Sequence, residues 1–221
     1  MVHLENLSFA FGRHWALREI TLDLEKGGFL FLNGPSGAGK TTLLRILHGT
    51  LPVTEGRATV AGFDLARLPR RRVPDLRREV GVVFQDFKIL PDRSVFENVG
   101  LALEVRGVDR EAMARRVGGM LAAVDLADKA EVPCGMLSGG EQQRVAIARC
   151  MVANPKLILA DEPTGNLDQE LALKLMEVFK RLHTVGATII MATHNREVMA
   201  QVPEARVLKL RAGRVVEEEG A

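Results

Sequence analysis

Residues 29–47 read Phe29-Leu-Phe-Leu-Asn-Gly34-Pro-Ser-Gly-Ala-Gly-Lys40-Thr-Thr-Leu-Leu-Arg-Ile-Leu47, and the architecture of the rest of the chain can be worked out from them. An apolar run suited to a buried strand enters a glycine-rich turn, and apolar residues at helical spacing leave it. Within the turn, Gly34, Pro35, Ser36, Gly37, Ala38, Gly39, Lys40 and Thr41 fit the spacing GxxxxGK[ST]. Glycines let the backbone curl until its N–H groups face an anion, and the helix N-terminus adds its positive end. Lys40 is expected to reach the β- and γ-phosphates of a nucleotide, the Thr41 hydroxyl to hold Mg²⁺, and Thr42 to contact the α-phosphate side. A chance glycine turn with a stray lysine would not be flanked by a strand and a helix in this order.

Other short apolar runs repeat the strand pattern at residues 28–32, 80–84, 157–160 and 187–192. Strands alternating with helices predict a parallel sheet covered on both faces. After Asp168, a plausible helix cap, Leu171, Leu175, Phe179 and Leu182 recur at helical spacing. Residues 2–9 and 17–24 instead alternate apolar with polar, which predicts an antiparallel sheet near the N-terminus, and residues 59–63 are expected to add a strand to it. Residues 92–152 lack strand patterns and read as helical, most clearly at 111–124 and 141–152.

The bulk numbers exclude several classes. The 221 residues are 47% apolar and 26% charged, with no tyrosine and a net charge of +2. That is a folded globule without the basic excess of a dedicated nucleic-acid binder, so no nucleic acid is expected. Cys134 and Cys150 form no CxxC pair, which suits a reduced, cytoplasmic setting. The N-terminus lacks the pattern of a signal peptide, and no run approaches the roughly 20 apolar residues that span a bilayer. Action at a membrane would need another chain.

Two further segments carry chemistry. Leu157-Ile-Leu-Ala-Asp161-Glu162 is an apolar strand ending in two carboxylates. Adjacent strand residues face opposite sides, so the two acids have different tasks. Asp161 is expected to meet Mg²⁺ through its water shell, and Glu162 to orient or deprotonate the attacking water. Leu137-Ser-Gly-Gly-Glu-Gln-Gln-Arg144 places a serine and two glycines at a helix start, an exposed anion site of N–H groups and a hydroxyl. A second phosphate site is unexpected in one chain unless it serves a neighbour's nucleotide.

This segment resembles the signature motif of the ABC ATPases, and the rest of that family's set appears in order. Phe11 resembles the aromatic that stacks on adenine, with phenylalanine replacing the commoner tyrosine. Gln85 resembles the Q-loop glutamine, Asn166-Leu167-Asp168 the D-loop, and His194 the switch histidine. The resemblance implies an α/β P-loop NTPase with a mainly parallel core sheet, an N-terminal antiparallel β subdomain and a helical subdomain. It implies one cassette over residues 1–221, with a RecA-like core at 1–86 and 153–221 and the helical signature subdomain at 87–152. ATP or ADP and Mg²⁺ are the implied cofactors, with Thr41, Gln85 and Asp161 at the metal. Glu162, His194, Gln85 and Lys40 are the implied catalytic set. Two copies would pack head to tail, with Ser138, Gly139 and Gly140 of one closing on the nucleotide of the other and Asp168 communicating across the interface.

Residues 83–99, Val83-Phe-Gln-Asp-Phe-Lys-Ile-Leu-Pro-Asp-Arg-Ser-Val-Phe-Glu-Asn-Val99, resemble the FtsE-like cell-division branch of the family. That implies a cytoplasmic protein held at the inner face of the plasma membrane by an FtsX-like integral membrane protein. Divisome components and, indirectly, a periplasmic cell-wall hydrolase would follow as partners. Segments near 160–168 are shared with lipoprotein-release and macrolide-export cassettes, the alternative within the family; a non-hydrolysing ATP-binding scaffold is the alternative outside it. Phe87, Ile89 and Leu90 are expected to contribute to a groove for a helix of the membrane partner. The basic residues within 70–78 are expected to form a solvated helix face. No guanine-selecting NKxD segment appears, which excludes a GTPase. The interval from Lys40 to Leu137 is too short for the coiled coil of a DNA-maintenance ATPase.

Overall fold

The computed structural model describes residues 1–84, 86–165 and 167–220. Strands β1 (Val2–Phe11) and β2 (His14–Leu24) pair antiparallel, Val2 opposite Leu24 and Leu4 opposite Leu22. Alternation, interrupted by irregularities where Asn6 (φ +49°) and Glu19 (φ +53°) turn left-handed, sends Val2, Leu4, Leu7, Leu17, Ile20 and Leu22 inward. β4 (Glu55–Val60) and the two-residue β5 (Phe63–Asp64) complete a four-stranded sheet in the order β2-β1-β4-β5. This corrects the single strand expected at 59–63. Ala61 (φ +49°) and Gly62 (φ +85°) form a two-residue turn that folds the segment back, pairing Val60 with Phe63.

The second sheet has six strands in the order β10-β9-β3-β8-β7-β6, numbered along the chain. β3 (Phe29–Asn33), β6 (Val80–Val83), β7 (Leu157–Asp161), β8 (Thr188–Ala192) and β9 (Arg206–Arg211) run parallel, and β10 (Arg214–Glu219) returns antiparallel to β9. β7 and β8 are buried at every position, so their sequences are continuous apolar runs rather than alternations. The last two strands were not anticipated. Only Leu208 and Leu210 of β9 are fully buried, alternating with exposed Lys209 and Arg211, and Lys209 pairs with Glu217 of β10 at 2.8 Å. Charged side chains at a sheet edge discourage pairing with a second molecule, and they also mask the strand signal.

Helix α1 (Lys40–Leu47) buries Leu43, Leu44, Ile46 and Leu47 in a core shared by both sheets. On the other face of the large sheet, α6 (Gln169–Thr184) and α7 (Arg196–Met199) cover Phe31, Ile158 and Ile189, with Phe179 among the largest fully buried side chains. Burying one such ring contributes about 1.5–3 kcal/mol relative to leaving it in water.

A third apolar cluster joins α3 (Val95–Glu104), α4 (Arg110–Ala123) and α5 (Gly139–Met151) through Val99, Leu103, Val117, Leu121 and Val145. A capping box starts α3: the Glu97 N–H donates to Ser94 Oγ at 3.2 Å, and the Ser94 N–H donates to Glu97 Oε2 at 2.8 Å. Fully buried Asn98 fixes the preceding loop by accepting from the Leu90 N–H and donating to the carbonyls of Leu90, Arg93 and Ser94. Between the sheets and these helices, α2 (Val73–Glu79) follows a single 3₁₀ turn at Arg70–Arg72. Arg72 and Arg78 both reach Asp75, so this basic stretch is an exposed face with part of its charge paired.

Candidate functional site

The phosphate-type loop is shaped by its neighbours. At Gly34 (φ +149°) a Cβ would lie 2.2 Å from the Leu210 carbonyl, and at Gly39 (φ +106°) 2.6 Å from that of Ala16. Both the close approach and the backbone angle therefore require glycine at these two positions. Gly39 precedes α1 and supplies no side-chain cap, so the first-turn N–H groups of Lys40, Thr41 and Thr42 face the loop. The Lys40 ammonium lies across the loop, donating to the carbonyls of Gly34 at 2.6 Å and Pro35 at 3.1 Å.

A cavity of about 720 Å³ opens over this loop. Residues 34–42 form its floor, Phe11 and Ala16 one wall, and Asp161, Glu162 and His194 the other. The β1–β2 turn presents Phe11 half-exposed, its ring edge-on to Phe9 at 5.0 Å. His14 and Gly165 also line the cavity and were missed in the sequence. His14 was within reach of inference, because it pairs directly with Phe11 across a two-residue turn.

The acidic pair diverges, Asp161 as the last residue of β7 and Glu162 just beyond it in a left-handed conformation. Asp161 is buried beside the Thr41 hydroxyl. Burial pushes its carboxyl above its ordinary value, with adjacent Glu162 adding to the effect, while the Thr41 hydroxyl, Lys40 and Arg45 pull the other way. Glu162, at φ +49°, turns to the cavity and meets His194 Nδ1 at 2.9 Å through Oε1. Pairing with an ionised carboxylate requires the proton on Nδ1. Among the described residues no cluster of three or more His, Cys, Asp or Glu could hold a metal. A cation here would instead rest on Thr41, Asp161, phosphate oxygens and water, an oxygen set that fits Mg²⁺.

Three expected residues lie elsewhere. Ser138, Gly139 and Gly140 open α5 and do not line the cavity. Ser138 Oγ donates to Glu141 Oε2 at 2.8 Å and accepts from the Glu141 N–H at 3.4 Å, while the Ser138 N–H also donates to Oε2. Lys129 completes the cluster by pairing with Glu141. Lys129 first, and the Ser138 bonds after it, hold the Glu141 carboxyl down at about 2. Asp168 caps α6, accepting from the Leu171 N–H at 2.9 Å. Gln85 and Asn166 lie outside the described residues. Next to Gln85, Phe84 packs edge-on against His48 at 5.5 Å, and burial, assisted by Arg77, pushes that histidine down to about 4.

Comparison with known proteins agrees with this geometry. The protein-family model described as ABC transporter matches residues 17–165. The cell division ATP-binding protein FtsE of Streptococcus pneumoniae serotype 2 (strain D39) is 46% identical over 204 residues, covering 92% of this chain and 88% of that protein. FtsE of Escherichia coli (strain K12) is 43% identical over 202 residues, covering 91% of each. Among solved structures, the dimeric post-hydrolysis state of the ATP-binding cassette MJ0796 bound to ADP and Pi superposes with a TM-score of 0.93 at 35% identity, covering 100% of this chain and 98% of that one. With the phosphate-type loop, the paired carboxylates and the capped serine helix all placed on one such fold, the chain belongs to the ABC transporter family, as an ATPase cassette similar to FtsE.

Proposed function

We propose that the chain binds Mg²⁺-ATP in the cavity over residues 34–42, pairs head to tail with a second copy, and hydrolyses the nucleotide to drive an FtsX-like membrane protein. The observation that carries this reading is the 2.9 Å Glu162–His194 pair, facing the loop that holds Lys40. The N–H groups of the loop and of the first turn of α1 bind the phosphates, with Lys40 moving from the Gly34 and Pro35 carbonyls to the β- and γ-oxygens. Phe11 offers its open ring face to the base; ADP would keep that contact. Thr41 and Asp161 are the residues that would hold Mg²⁺, whose charge when bound neutralises the β- and γ-phosphate oxygens. Glu162 receives the proton of the attacking water as general base, and His194 fixes the carboxylate that does so. Gln85 is assigned a place beside the metal and the γ-phosphate by the family pattern alone.

One chain leaves this nucleotide open to solvent on the side away from the loop. Residues 138–140 have the chemistry to close it, on a surface apart from their own cavity. The head-to-tail pair joins the two, with Asp168 near the contact, and the dimeric state of MJ0796 supports it. Residues 87–152 form the helical subdomain of this arrangement, and residues 1–86 with 153–221 the core. No described helix is long and apolar enough to cross a membrane, so the membrane part belongs to the partner. Leu90 is exposed, while exposed Val105 lines a second cavity of about 600 Å³ with Arg77, Arg106 and Arg149; we propose that the membrane partner docks on this cavity and the residue 87–90 strip. Likeness to FtsE supports a place at the inner face of the plasma membrane, with divisome proteins and a periplasmic cell-wall hydrolase downstream.

The test is light scattering of Glu162→Gln protein with and without Mg²⁺-ATP, alongside phosphate release. Turnover should fall by about 10²–10⁴-fold while ATP still binds and drives monomer to dimer. A variant that binds ATP tightly and stays monomeric overturns the head-to-tail arrangement, and one that keeps its turnover overturns Glu162 as base.

A further inference from the structure

Glu162 stands in a left-handed conformation (φ +49°) that a residue bearing a Cβ adopts only when its surroundings impose it. Three backbone contacts do so. Its N–H donates to the Ala192 carbonyl at 2.9 Å, at the end of β8, and its own carbonyl accepts from the Gly165 N–H at 3.1 Å. The third contact comes from another part of the fold. Gln143 of α5, 2% exposed, donates its Nε2 to the Glu162 carbonyl at 3.3 Å and also to the Pro163 carbonyl. The orientation of the amide is fixed by chemistry, since the reverse would set its oxygen against two carbonyl oxygens.

The Gln143 amide oxygen is buried without a hydrogen-bond partner among the described residues, a cost that an apolar side chain here would avoid and that the two bonds from Nε2 must offset. Val145, Ala146 and Ile147 follow Gln143 in the core, and any of these types would pack there without the cost of burying an amide. Gln142, the adjacent glutamine, donates to the Cys134 and Leu137 carbonyls and so steadies the entry to α5 instead. Gln143 lies one helical turn after Gly139, so the helix that begins at Ser138 ends its first turns on the backbone of Glu162.

We infer that Gln143 is a positioning residue for hydrolysis: its amide fixes the Glu162–Pro163 peptide so that the Glu162 carboxylate stays aimed at His194 and the cavity. It thereby ties α5 to the reacting end of β7 within the same chain. A change in the seating of α5, as when its N-terminus engages a partner's nucleotide, reaches the general base through this one side chain. The inference rests on the reading of Glu162 as base, and its test separates the two.

Phosphate release under single-turnover conditions, ATP affinity and melting temperature are measured for Gln143→Leu, Glu162→Gln and the double variant. Gln143→Leu should lower the hydrolytic rate by about ten-fold or more, leave ATP affinity within about two-fold, and add almost nothing in the Glu162→Gln background. An equal loss in both backgrounds, or a rate within about two-fold of the parent, overturns the role of Gln143. Unchanged hydrolysis in Glu162→Gln alone overturns the reading of Glu162 and is recognised separately. If Gln143→Leu does not fold, Gln143→Glu decides. A protonated glutamic acid can donate to only one of the two carbonyls and an ionised one repels both, so the hydrolytic rate of this variant should fall by about ten-fold or more while ATP affinity stays within about two-fold. A rate within about two-fold of the parent overturns the proposal.

Discussion

The loop at residues 34–42 and the α5 N-terminus at residues 138–140 are both proposed to meet phosphate, and they are built in opposite ways. The loop lies between β3, β9 and the β1–β2 sheet, its glycines forced by carbonyls 2.2 and 2.6 Å from where a Cβ would stand. Its donors face an open cavity. The α5 terminus is closed on itself: Glu141 receives both the Ser138 hydroxyl and its N–H, and Lys129 neutralises the acid. One half is held open by the core, whereas the other is closed by its own bonds, which in the proposed head-to-tail pair it would exchange for an external phosphate. On that proposal the two act as receptor and latch.

Three experiments would break or sharpen that contrast. The largest effect is expected from Ser138→Arg, which fills the latch without touching the cavity. Steady-state turnover should fall by about 10²-fold or more while ATP affinity of the isolated chain stays within about two-fold. Loss of that affinity would mean that the two halves are one site within a single chain.

The next concerns Asp161. Burial raises its folded-state pKa, so the charged carboxylate destabilises the fold above that pKa, and the penalty disappears below the unfolded value near 3.8. Asp161→Asn should therefore melt higher than the parent at neutral pH in EDTA, yet lose about 10–100-fold in Mg²⁺ affinity. A lower melting temperature would show that the carboxylate supports the fold rather than the site.

Glu141 has the opposite sign and gives the smallest effect. Its pKa falls from 4.5 unfolded to about 2 folded, so its contribution to stability is full above pH 4.5 and disappears as the pH falls toward 2. Urea midpoints should show this acid-side loss in the parent and not in Glu141→Gln. Equal curves would place the stabilisation of the latch elsewhere.

Much of this was legible in the sequence for a mechanical reason. The interior strands are apolar at consecutive positions because both their faces are covered, and GxxxxGK[ST] records where backbone must approach backbone. Strand alternation foretold that Asp161 and Glu162 would diverge, although Glu162 does so from a left-handed turn just past the end of β7. What escaped had its signal cancelled. β9 and β10 carry charges that pair across the edge, so their apolar positions were too few to see. The β4–β5 turn uses alanine where glycine or asparagine would have announced it. Gln143 read as one more polar residue on a helix, because nothing in a linear pattern says that its target lies 19 residues away at a left-handed glutamate.

The contact between the loop and the last strands governs the order in which this protein can come into being on the ribosome. β3 takes its sheet neighbours from β8 and β9, Gly34 abuts the Leu210 carbonyl, and the Gly213 N–H donates to the Ala38 carbonyl at 3.1 Å. A nascent chain halted after His194 already carries every motif named above, yet it lacks the strand that shapes the nucleotide loop. A loop shaped by these contacts is expected to gain its affinity for ATP only once residues 206–213 have been made.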